Sequence, residues 1–357
     1  MRILHTESSI GWGGQETRIA RESELLQADK HQVLIACDTD SQFVTKGKTS
    51  VPLVHLKIGS KNPLGVYEAY KLLKSYVPDL LVTHSSTDSW LFLLASFFIR
   101  KKIKRIRTRH VSASITKSMV NKWFYGKFDH VITTSETIRE HVVQDLAIPL
   151  KKVTSVPTGT DCIFYSKNQF DKSKIRSELG FEKDDYLVVM IATLRSWKGH
   201  RYVIEAISRL PENCKLLIVG DGPQEANLKK QMLSLGLEKR IKFFGHQEDV
   251  RPFLTVADMF CQPSTANEGV SQSLLQAASM EKPIITTSVG GSLEVIQDEV
   301  NGFVVPIENS NAIKVAIERM SSDKEMANEF GVKSRIVVEE KFSNAHMMSK
   351  LKEIYEY

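Results

Sequence analysis

The sequence of 357 residues has few cysteines and no long hydrophobic run. Its four cysteines lie far apart, so neither a disulfide framework nor a paired zinc-ligand spacing is indicated, and a reducing, cytoplasmic setting is favoured. They are Cys37, Cys162, Cys214 and Cys261. The strongest apolar run, from Trp90 to Ile99, is about half as long as a membrane-spanning helix and is interrupted by Ser96. The sequence therefore predicts no membrane span.

Targeting signals and low-complexity tracts are also lacking. The opening residues, MRILHTESS, do not have the charged and apolar regions of a secretory signal, so we expect the mature chain to begin at Met1. Hydrophobic residues make up 42% of the chain and charged residues 25%, which excludes a disordered or fibrous protein. The net charge of +6 is unevenly divided, because residues 1–165 carry +8 and residues 166–357 carry −2.

Short apolar runs alternate with helix-length amphipathic segments along the whole chain. This alternation predicts repeated βα units around parallel sheets, and the length predicts two domains. Predicted strands begin at Arg2, Val33, Leu80, Arg105 and His130 in the first half, and at Tyr186, Leu216, Ile241, Met259, Pro283 and Gly302 in the second. Predicted helices lie near 16–28, 66–76, 88–100 and 136–144.

A polar stretch after Val153 indicates the boundary between two doubly wound α/β domains. We predict an N-terminal domain over 1–165, a second domain over 166–342, and a C-terminal helix over 343–357 that packs back toward the first. Open parallel sheets bind ligands at the carboxyl ends of their strands. We therefore expect a ligand in the cleft between the two sheets.

A glycine-rich segment, IGWGGQE, follows the first strand. Gly13 and Gly14 would let the backbone approach a ligand, and the helix start would offer N–H groups to an anion. The dinucleotide fingerprint needs a further glycine where Glu16 stands, which counts against a nicotinamide dehydrogenase. The alternative is a flexible turn between strand and helix.

Two cations, Arg195 and Lys198, lie in the loop between a predicted strand and helix of the second half. Cations beside a helix N-terminus can bind a pyrophosphate and neutralise the charge on a departing nucleoside diphosphate. Solvated surface charge is the alternative.

The densest pattern is PSTANEGVSQSLLQAASMEKPIITTSVGG. Glu268 and Gly269 precede a predicted helix whose first-turn amides, near Ser271 to Ser273, could bind a phosphate or a sugar hydroxyl. Gln276 would lie about two helical turns beyond Glu268 and reach another part of the same ligand. The alternatives are an acid placed by the helix dipole and a polar residue on a half-exposed face.

The order of these elements resembles the retaining glycosyltransferases of family four, the glycosyl transferases group 1. The matching elements are the Arg195/Lys198 loop, GDGP, FFGH, Pro263–Ser264, EGVSQSLLQAASMEKPIITTSVGG, Glu294 and NGFVVP, with looser matches at GGQE, TRH, TSE and PTGTD in the first half. The resemblance implies the GT-B fold: two Rossmann-like, doubly wound domains that face each other across a cleft.

The resemblance also implies roles for individual residues. Arg195 and Lys198 would bind the pyrophosphate of a nucleotide-sugar, and Glu268 and His110 would lie at the donor sugar. The donor-binding residues would be Gly13, Gly14, Gly245, Gly269, Val270, Ser271, Gln272, Ser273 and Gln276. No bound metal or other cofactor is implied, and the nucleotide would be UDP or GDP.

Two positions depart from the family pattern. The family usually has glutamate where Gln276 stands, so this side chain can hydrogen-bond a ribose only through its amide. The usual glycine-arginine pair falls on Ala192 and Thr193, which leaves Arg195 to supply the cation.

Basic residues are concentrated between Arg100 and Arg109, where seven of ten positions are Lys or Arg. Because an apolar run precedes them, contact with an anionic membrane surface or acceptor is one interpretation, and a buried helix flanked by solvated charge is the other. No recognition helix, zinc module or aromatic RNA-binding pattern accompanies the charge, which argues against nucleic acid.

The prediction from sequence is a retaining, metal-independent glycosyltransferase of the cytoplasm, with peripheral contact at the inner face of the cytoplasmic membrane as one of the two interpretations of the basic segment. It would move a sugar to a hydroxyl of a cell-envelope glycan or glycolipid, as in lipopolysaccharide biosynthesis. One alternative is a non-catalytic adaptor that binds a nucleotide-sugar or glycan. Another is a glucan phosphorylase, which would need pyridoxal phosphate on a lysine.

Overall fold

The computed structural model describes residues 1–43, 49–111, 113, 115–167, 169–266 and 268–356. The chain forms two compact units, 1–159 with 347–357, and 160–346. The first unit therefore ends a few residues before the boundary predicted at 165. Within the described ranges, no helix is both long enough and apolar enough to cross a membrane.

The first unit is built on a parallel sheet whose seven described strands follow the order β3-β2-β1-β4-β5-β6-β7. The strands are β1 (Arg2–Glu7), β2 (Gln32–Asp38), β3 (Leu53–Leu56), β4 (Leu80–Thr83), β5 (Lys104–Arg109), β6 (His130–Thr133) and β7 (Val153–Ser155). The chain order reverses between β1 and β4, which is the switch point of a doubly wound sheet.

Helices of the first unit connect these strands. They are α1 (Gly14–Ala28), α2 (Pro63–Tyr76), α3 (Ser86–Ser96), α4 (Met119–Gly126) and α5 (Glu136–Leu146). Side chains at three N-terminal ends accept backbone N–H groups: Asn62 from Gly65, Ser118 from Asn121 and Ser135 from Ile138. These caps satisfy donors that a helix leaves unpaired in its first turn.

The second unit has a parallel sheet of six described strands in the order β10-β9-β8-β11-β12-β13. The strands are β8 (Tyr186–Ile191), β9 (Cys214–Val219), β10 (Ile241–Phe243), β11 (Met259–Gln262), β12 (Ile284–Thr286) and β13 (Phe303–Val304). The helices are α6 (Lys172–Glu178), α7 (His200–Ile207), α8 (Glu225–Ser234), α9 (Arg251–Val256), α10 (Gln272–Ser279), α11 (Ser292–Val295), α12 (Ser310–Ser322) and α13 (Lys324–Lys341). The switch point here lies between β8 and β11.

The last helix, α14 (Asn344–Glu356), packs on the first unit. Its apolar face joins the core formed around β1 and β2, through Met347, Leu351, Ile354 and Tyr355. The Tyr355 hydroxyl donates to Glu22 Oε1 at 2.5 Å. The end of the chain thus completes the core of the domain that begins it.

Candidate active site

The predicted site residues of the second unit lie on loops that leave neighbouring strands at the switch point. Strand β8 pairs with β11. Arg195 and Lys198 follow β8, and Glu268 follows β11. In parallel sheets the carboxyl ends of neighbouring strands meet at one edge, so the topology brings the cations and the carboxylate together.

Lys198 and Glu268 form an ion pair. Lys198 Nζ lies 2.5 Å from Glu268 Oε1, and Ser264 Oγ donates to the same oxygen at 2.8 Å. The side chain of Glu268 is 7% exposed and that of Lys198 is 17% exposed. Because few water molecules can reach the pair, its charges are poorly screened and its geometry is fixed.

Backbone contacts hold the two loops against each other. Gly199 has φ +78°, and a Cβ at this position would lie 2.0 Å from Pro263 O, so only glycine fits. The backbone N–H of Thr265 donates to Trp197 O at 2.7 Å. Lys198 is therefore fixed at the start of α7 by contacts on both sides.

A third loop, after β12, supports Glu268. Gly290 has φ +62°, and a Cβ there would lie 2.3 Å from Glu268 O. The next residue, Gly291, donates its N–H to Gly269 O at 3.1 Å, and Thr287 Oγ1 donates to Ser264 O at 2.5 Å. The loops after the neighbouring strands β8, β11 and β12 thus hold Glu268 in place.

Arg195 is exposed at the amino end of the short 3-10 turn Ser196–Lys198. Its guanidinium carbon lies 5.8 Å from the centre of the Trp197 ring. Among the described residues no carboxylate lies within ion-pair distance of it. A cation in this position is available to an anionic ligand.

The segment after Glu268 leads into α10, whose first residue is Gln272. The Ser271 hydroxyl does not cap the helix but donates to Gln262 Oε1 at 2.9 Å, and Ser273 Oγ donates to the same atom at 3.3 Å. The side chain of Val270 is buried in the core, so only its backbone is available to a ligand. The first-turn N–H groups of α10 are left without a side-chain cap, which suits an anion.

The structure corrects the predicted relation between Gln276 and Glu268. Glu268 lies in the loop before α10, so the two residues do not share a helix and are not separated by two helical turns. Gln276 lies only one turn beyond the first residue of α10. Its Nε2 donates to the Tyr165 hydroxyl at 3.0 Å.

Gly245 lies two residues beyond the end of β10 in a left-handed conformation with φ +64°. Its carbonyl oxygen accepts the N–H of Gly220 at 2.7 Å, joining the loops after β9 and β10. The left-handed φ, rather than this contact, accounts for glycine at position 245 without a ligand.

In the first unit, Gly13 and Gly14 form the amino end of α1 just after β1. Neither has a positive φ, a Cβ at Gly14 would meet no atom within 4 Å, and one at Gly13 would make only an ordinary contact at 3.6 Å. The described part of the protein therefore does not itself require glycine at these positions. Open space remains above the helix end for a ligand.

His110 follows β5 and belongs to a chain of three imidazoles across the switch point of the first sheet. His84 Nδ1 lies 2.9 Å from His110 Nε2, and His5 Nδ1 lies 3.0 Å from His84 Nε2. Each contact needs one N–H and one lone pair, so the tautomers of the three rings are coupled. The Nδ1 atom of His110 lies at the end of the chain.

Burial keeps the three imidazoles uncharged. It lowers the pKa of His5, His84 and His110, and the positive charges of Arg18 and Arg107 lower the pKa of His110 further. A neutral His110 can either donate or accept one hydrogen bond at a ligand hydroxyl.

Two buried carboxyl groups lie beside this chain. Asp88 Oδ2 accepts a hydrogen bond from Thr6 Oγ1 at 2.6 Å and another from the backbone N–H of His84 at 3.0 Å. Glu7 accepts from Ser85 Oγ at 2.5 Å. Burial, followed by the charge of Asp88, raises the pKa of Glu7 to about 8, and burial raises the pKa of Asp88 to about 6.

Sequence reasoning missed the other two histidines of this chain and the carboxyl groups beside it. His5 and Glu7 lie on β1, and His84 directly follows β4. Polar side chains in otherwise apolar strands, or at their carboxyl ends, were the available signal.

Family models match most of the chain. Residues 171–336 match the model described as glycosyl transferases group 1, and residues 12–163 match that described as Glycosyltransferase Family 4. The chain belongs to this glycosyltransferase family. The predicted family and the predicted GT-B class of two Rossmann-like domains are confirmed.

Curated relatives of this glycosyltransferase include two named enzymes. The UDP-Gal:alpha-D-GlcNAc-diphosphoundecaprenol alpha-1,3-galactosyltransferase of Escherichia coli is 24% identical over 378 residues, which cover 99% of this chain and 96% of the relative. The N-acetyl-alpha-D-glucosaminyl L-malate synthase of Bacillus anthracis is 27% identical over 270 residues, 73% of this chain and 70% of the relative.

Among solved structures, Anabaena Alr3699/HepE in complex with UDP has a TM-score of 0.88. The two chains are 22% identical, and the match covers 100% of each. This similarity supports the fold of the glycosyltransferase.

Proposed function

We propose that this glycosyltransferase moves a sugar from a UDP-sugar to a hydroxyl of a cell-envelope glycan or glycolipid, with retention of the anomeric configuration and without a metal. The observation that carries the proposal is the fixed Lys198–Glu268 pair at the switch point of the second sheet. A UDP donor is favoured because HepE binds UDP and the Escherichia coli relative is named for UDP-Gal.

In this proposal the leaving diphosphate is stabilised by fixed positive groups. Lys198 and Arg195 supply two cations, and the uncapped first turn of α10 supplies backbone N–H groups. Such groups stabilise the charge that develops on the leaving oxygen without reorganising during the reaction. They take the part that a metal ion plays in other enzymes.

Glu268 orients the donor sugar rather than attacking it. One of its oxygens is held by Lys198 and Ser264, which lowers its nucleophilicity and leaves Oε2 to accept from a sugar hydroxyl. With no nucleophile assigned, we propose front-face displacement, in which a leaving-group phosphate oxygen accepts the acceptor proton. His110 would hydrogen-bond the sugar as a neutral imidazole.

The binding experiment is a thermal-shift measurement with UDP, GDP and ADP. We expect UDP to stabilise the wild type and the Lys230→Ala control, whose lysine is exposed on α8, but not Lys198→Ala. Equal stabilisation of Lys198→Ala would remove Lys198 from the donor site. Binding of UDP with neither sugar transfer nor donor hydrolysis would favour the adaptor function instead.

We also propose that the protein contacts an anionic membrane, through a surface different from the predicted one. Arg100, Lys101 and Lys102 are exposed, but β5 takes up the rest of the basic segment. Arg107 is only 4% exposed, and its Nη1 donates to Ser85 O at 2.9 Å. The basic segment is therefore not one continuous surface, because alternate residues of an inner strand face the helices that cover the sheet.

Exposed apolar side chains adjoin the exposed cations. Phe97 and Phe98 follow α3, and Phe97 contacts Trp123 of α4 with ring centres 6.5 Å apart. The apolar membrane patch consists of Phe97, Phe98, Met119, Val120 and Trp123, exposed by 47%, 72%, 89%, 60% and 44%. Together with Lys102, Lys122 and Lys127, it suits an anionic lipid surface.

Vesicle sedimentation tests this surface. We expect vesicles of phosphatidylglycerol, but not of phosphatidylcholine alone, to bind the wild type, and the pair Phe98→Ser and Met119→Ser to weaken binding. A matched pair on the second unit, Leu233→Ser and Leu235→Ser, removes exposed apolar residues elsewhere and should have no effect. Equal losses for both pairs would disprove the assignment.

A further inference from the structure

A cavity of about 380 Å³ lies in the second unit between α7 and α8. Trp197, His200 and Arg201 line one side, and Gln224, Asn227 and Gln231 line the other. Its volume falls within the range of about 300–1,000 Å³ that is usual for small-molecule sites.

His200 is the most informative residue of this cavity. It is 2% exposed, and both its ring nitrogens are buried without a hydrogen-bond partner among the described residues. Burial, followed by the charge of Lys198, lowers the pKa of His200 to about 3, so the ring is neutral and carries one donor and one acceptor. A buried polar group without a partner is costly, and a bound polar ligand would satisfy it.

Hydrogen bonds hold the side-chain amides on the opposite wall in place, and some of the amide donors and acceptors remain unused. Gln231 Nε2 donates to Arg201 O at 2.9 Å, and Asn227 Nδ2 donates to Gln224 Oε1 at 3.1 Å. Three groups have no hydrogen-bond partner in the described part of the chain: the side-chain oxygens of Asn227 and Gln231, and the side-chain amino group of Gln224. Fixed amides with both donors and acceptors match a ligand rich in hydroxyl groups.

Two arginines line the cavity, Arg201, which is paired with a carboxylate, and Arg195, which belongs to the loop assigned to the donor diphosphate. Arg201 pairs with Glu308, which also lines the cavity, at 3.5 Å. Trp197 adds an aromatic ring, and its backbone is held by Thr265. An aromatic surface beside neutral polar groups fits the apolar face and the hydroxyl edge of a pyranose ring.

We propose that this cavity is a carbohydrate subsite that binds a non-reacting sugar unit of the acceptor glycan. The acceptor part of this inference rests on the proposed function. The subsite lies on the α7–α8 side of the Arg195–Lys198 loop, and Arg195 lines its edge, so an occupied subsite would bring a glycan beside the loop assigned to the donor diphosphate.

Saturation-transfer NMR with glucose, galactose and N-acetylglucosamine tests the subsite, with UDP present in excess to occupy the donor site. We expect signals from at least one sugar with the wild type and with Lys230→Ala, an exposed control on α8. Asn227→Ala should weaken binding about fivefold because one hydrogen-bonding group is lost. His200→Phe should abolish binding without lowering thermal stability, because it removes unpaired buried nitrogens.

Several results would overturn the subsite. The first is that none of the three sugars gives a signal. The second is that Asn227→Ala and the wild type give equal signals. The third is that inorganic phosphate perturbs the His200 ring signals and the sugars do not. Sugar binding in the cavity of a chain that neither transfers nor hydrolyses any UDP-sugar would instead refute the proposed function while leaving the subsite intact.

Discussion

Glycines at the candidate site serve two different purposes. Gly199 and Gly290 have positive φ angles and lie against the backbone of a neighbouring loop, so the fold itself requires them. Gly14 has neither constraint. This difference separates a residue needed for folding from one whose missing side chain matters only when a ligand is bound.

Gly14→Ala is therefore expected to leave the fold intact and to weaken donor binding. Alanine favours a helix over glycine by up to about 1 kcal/mol, so the thermal midpoint should be unchanged or slightly higher. The UDP dissociation constant, measured by calorimetry, should rise because the added methyl group occupies the space above the end of α1. The same affinity as in the wild type would show that no ligand approaches Gly14.

His84 is expected to act as a positioning residue for His110. His84→Asn removes the ring nitrogen that lies 2.9 Å from His110 Nε2, so the tautomer of His110 is no longer fixed. We expect kcat to fall by about tenfold or more with a smaller change in the donor KM. Nitrogen NMR of the His110 ring should show a mixture of tautomers.

His141→Asn provides a control outside the imidazole chain, on α5. An unchanged His110 spectrum in His84→Asn would contradict the positioning role even if activity fell, since a purely structural effect would not need a change of tautomer.

Secondary-structure elements differ in how well the sequence predicts them. All eleven predicted strands are present, because continuous apolar runs such as Leu187–Ile191 are typical of strands buried on both faces. The two missed strands, β3 and β7, are the edges of the first sheet and are only three or four residues long. His55 interrupts β3, and β7 is polar after Val153, so neither sequence has the continuous apolar run that is typical of a buried strand.

The sequence also predicts some residues of the candidate site and not others. Arg195, Lys198 and Glu268 belong to loops with recognisable spacing. The partners of His110, by contrast, come from β1 and β4, more than twenty residues away in sequence, and only the strand order brings them together. The sequence placed Glu268 correctly before the helix, but the two-turn relation to Gln276 was wrong because α10 begins only at Gln272.

The C-terminal helix is expected to stabilise the first unit. Leu351 is fully buried in its core, so Leu351→Ala should cost about 2–5 kcal/mol. Hydrogen exchange should show faster exchange in β1 and β2, with little change in β8 and β9. Ser349→Ala, on the exposed face of the same helix, is the control, and equal acceleration in both units would contradict the assignment.

The stability of the whole molecule should depend on pH through Glu7. Its pKa is raised from 4.5 to about 8, so the folded state keeps a proton that the unfolded state has released, and stability falls as pH rises across that window. Asp88 acts in the same direction but only up to about pH 6. The buried histidines act in the opposite direction, and because their pKa of 6.5 in the unfolded state is lowered by folding, their effect is largely complete only above about pH 7.5.

Thermal unfolding between pH 6.5 and 8 isolates the contribution of Glu7. We expect the unfolding midpoint of the wild type to fall relative to that of Glu7→Gln as pH rises across this range, since glutamine cannot ionise and the histidines contribute to both proteins. Parallel curves for the two proteins would show that Glu7 is not protonated in the folded state at pH 6.5.

Each sheet carries its candidate residues at the carboxyl edge beside its own switch point, His110 in the first and Lys198 with Glu268 in the second. This arrangement follows from the topology of parallel sheets, whereas the chemistry follows from the loops. We propose that the second of these edges activates a nucleotide-sugar.

This activation is measured by the release of UDP from UDP-glucose, UDP-galactose and UDP-N-acetylglucosamine in the absence of acceptor. We predict slow UDP release from at least one donor by the wild type and by Lys230→Ala, and a loss of about a hundredfold or more in Lys198→Ala, since a fixed cation at the leaving group is removed. Equal release by Lys198→Ala and the wild type, or no release from any donor by the folded wild type, would contradict it.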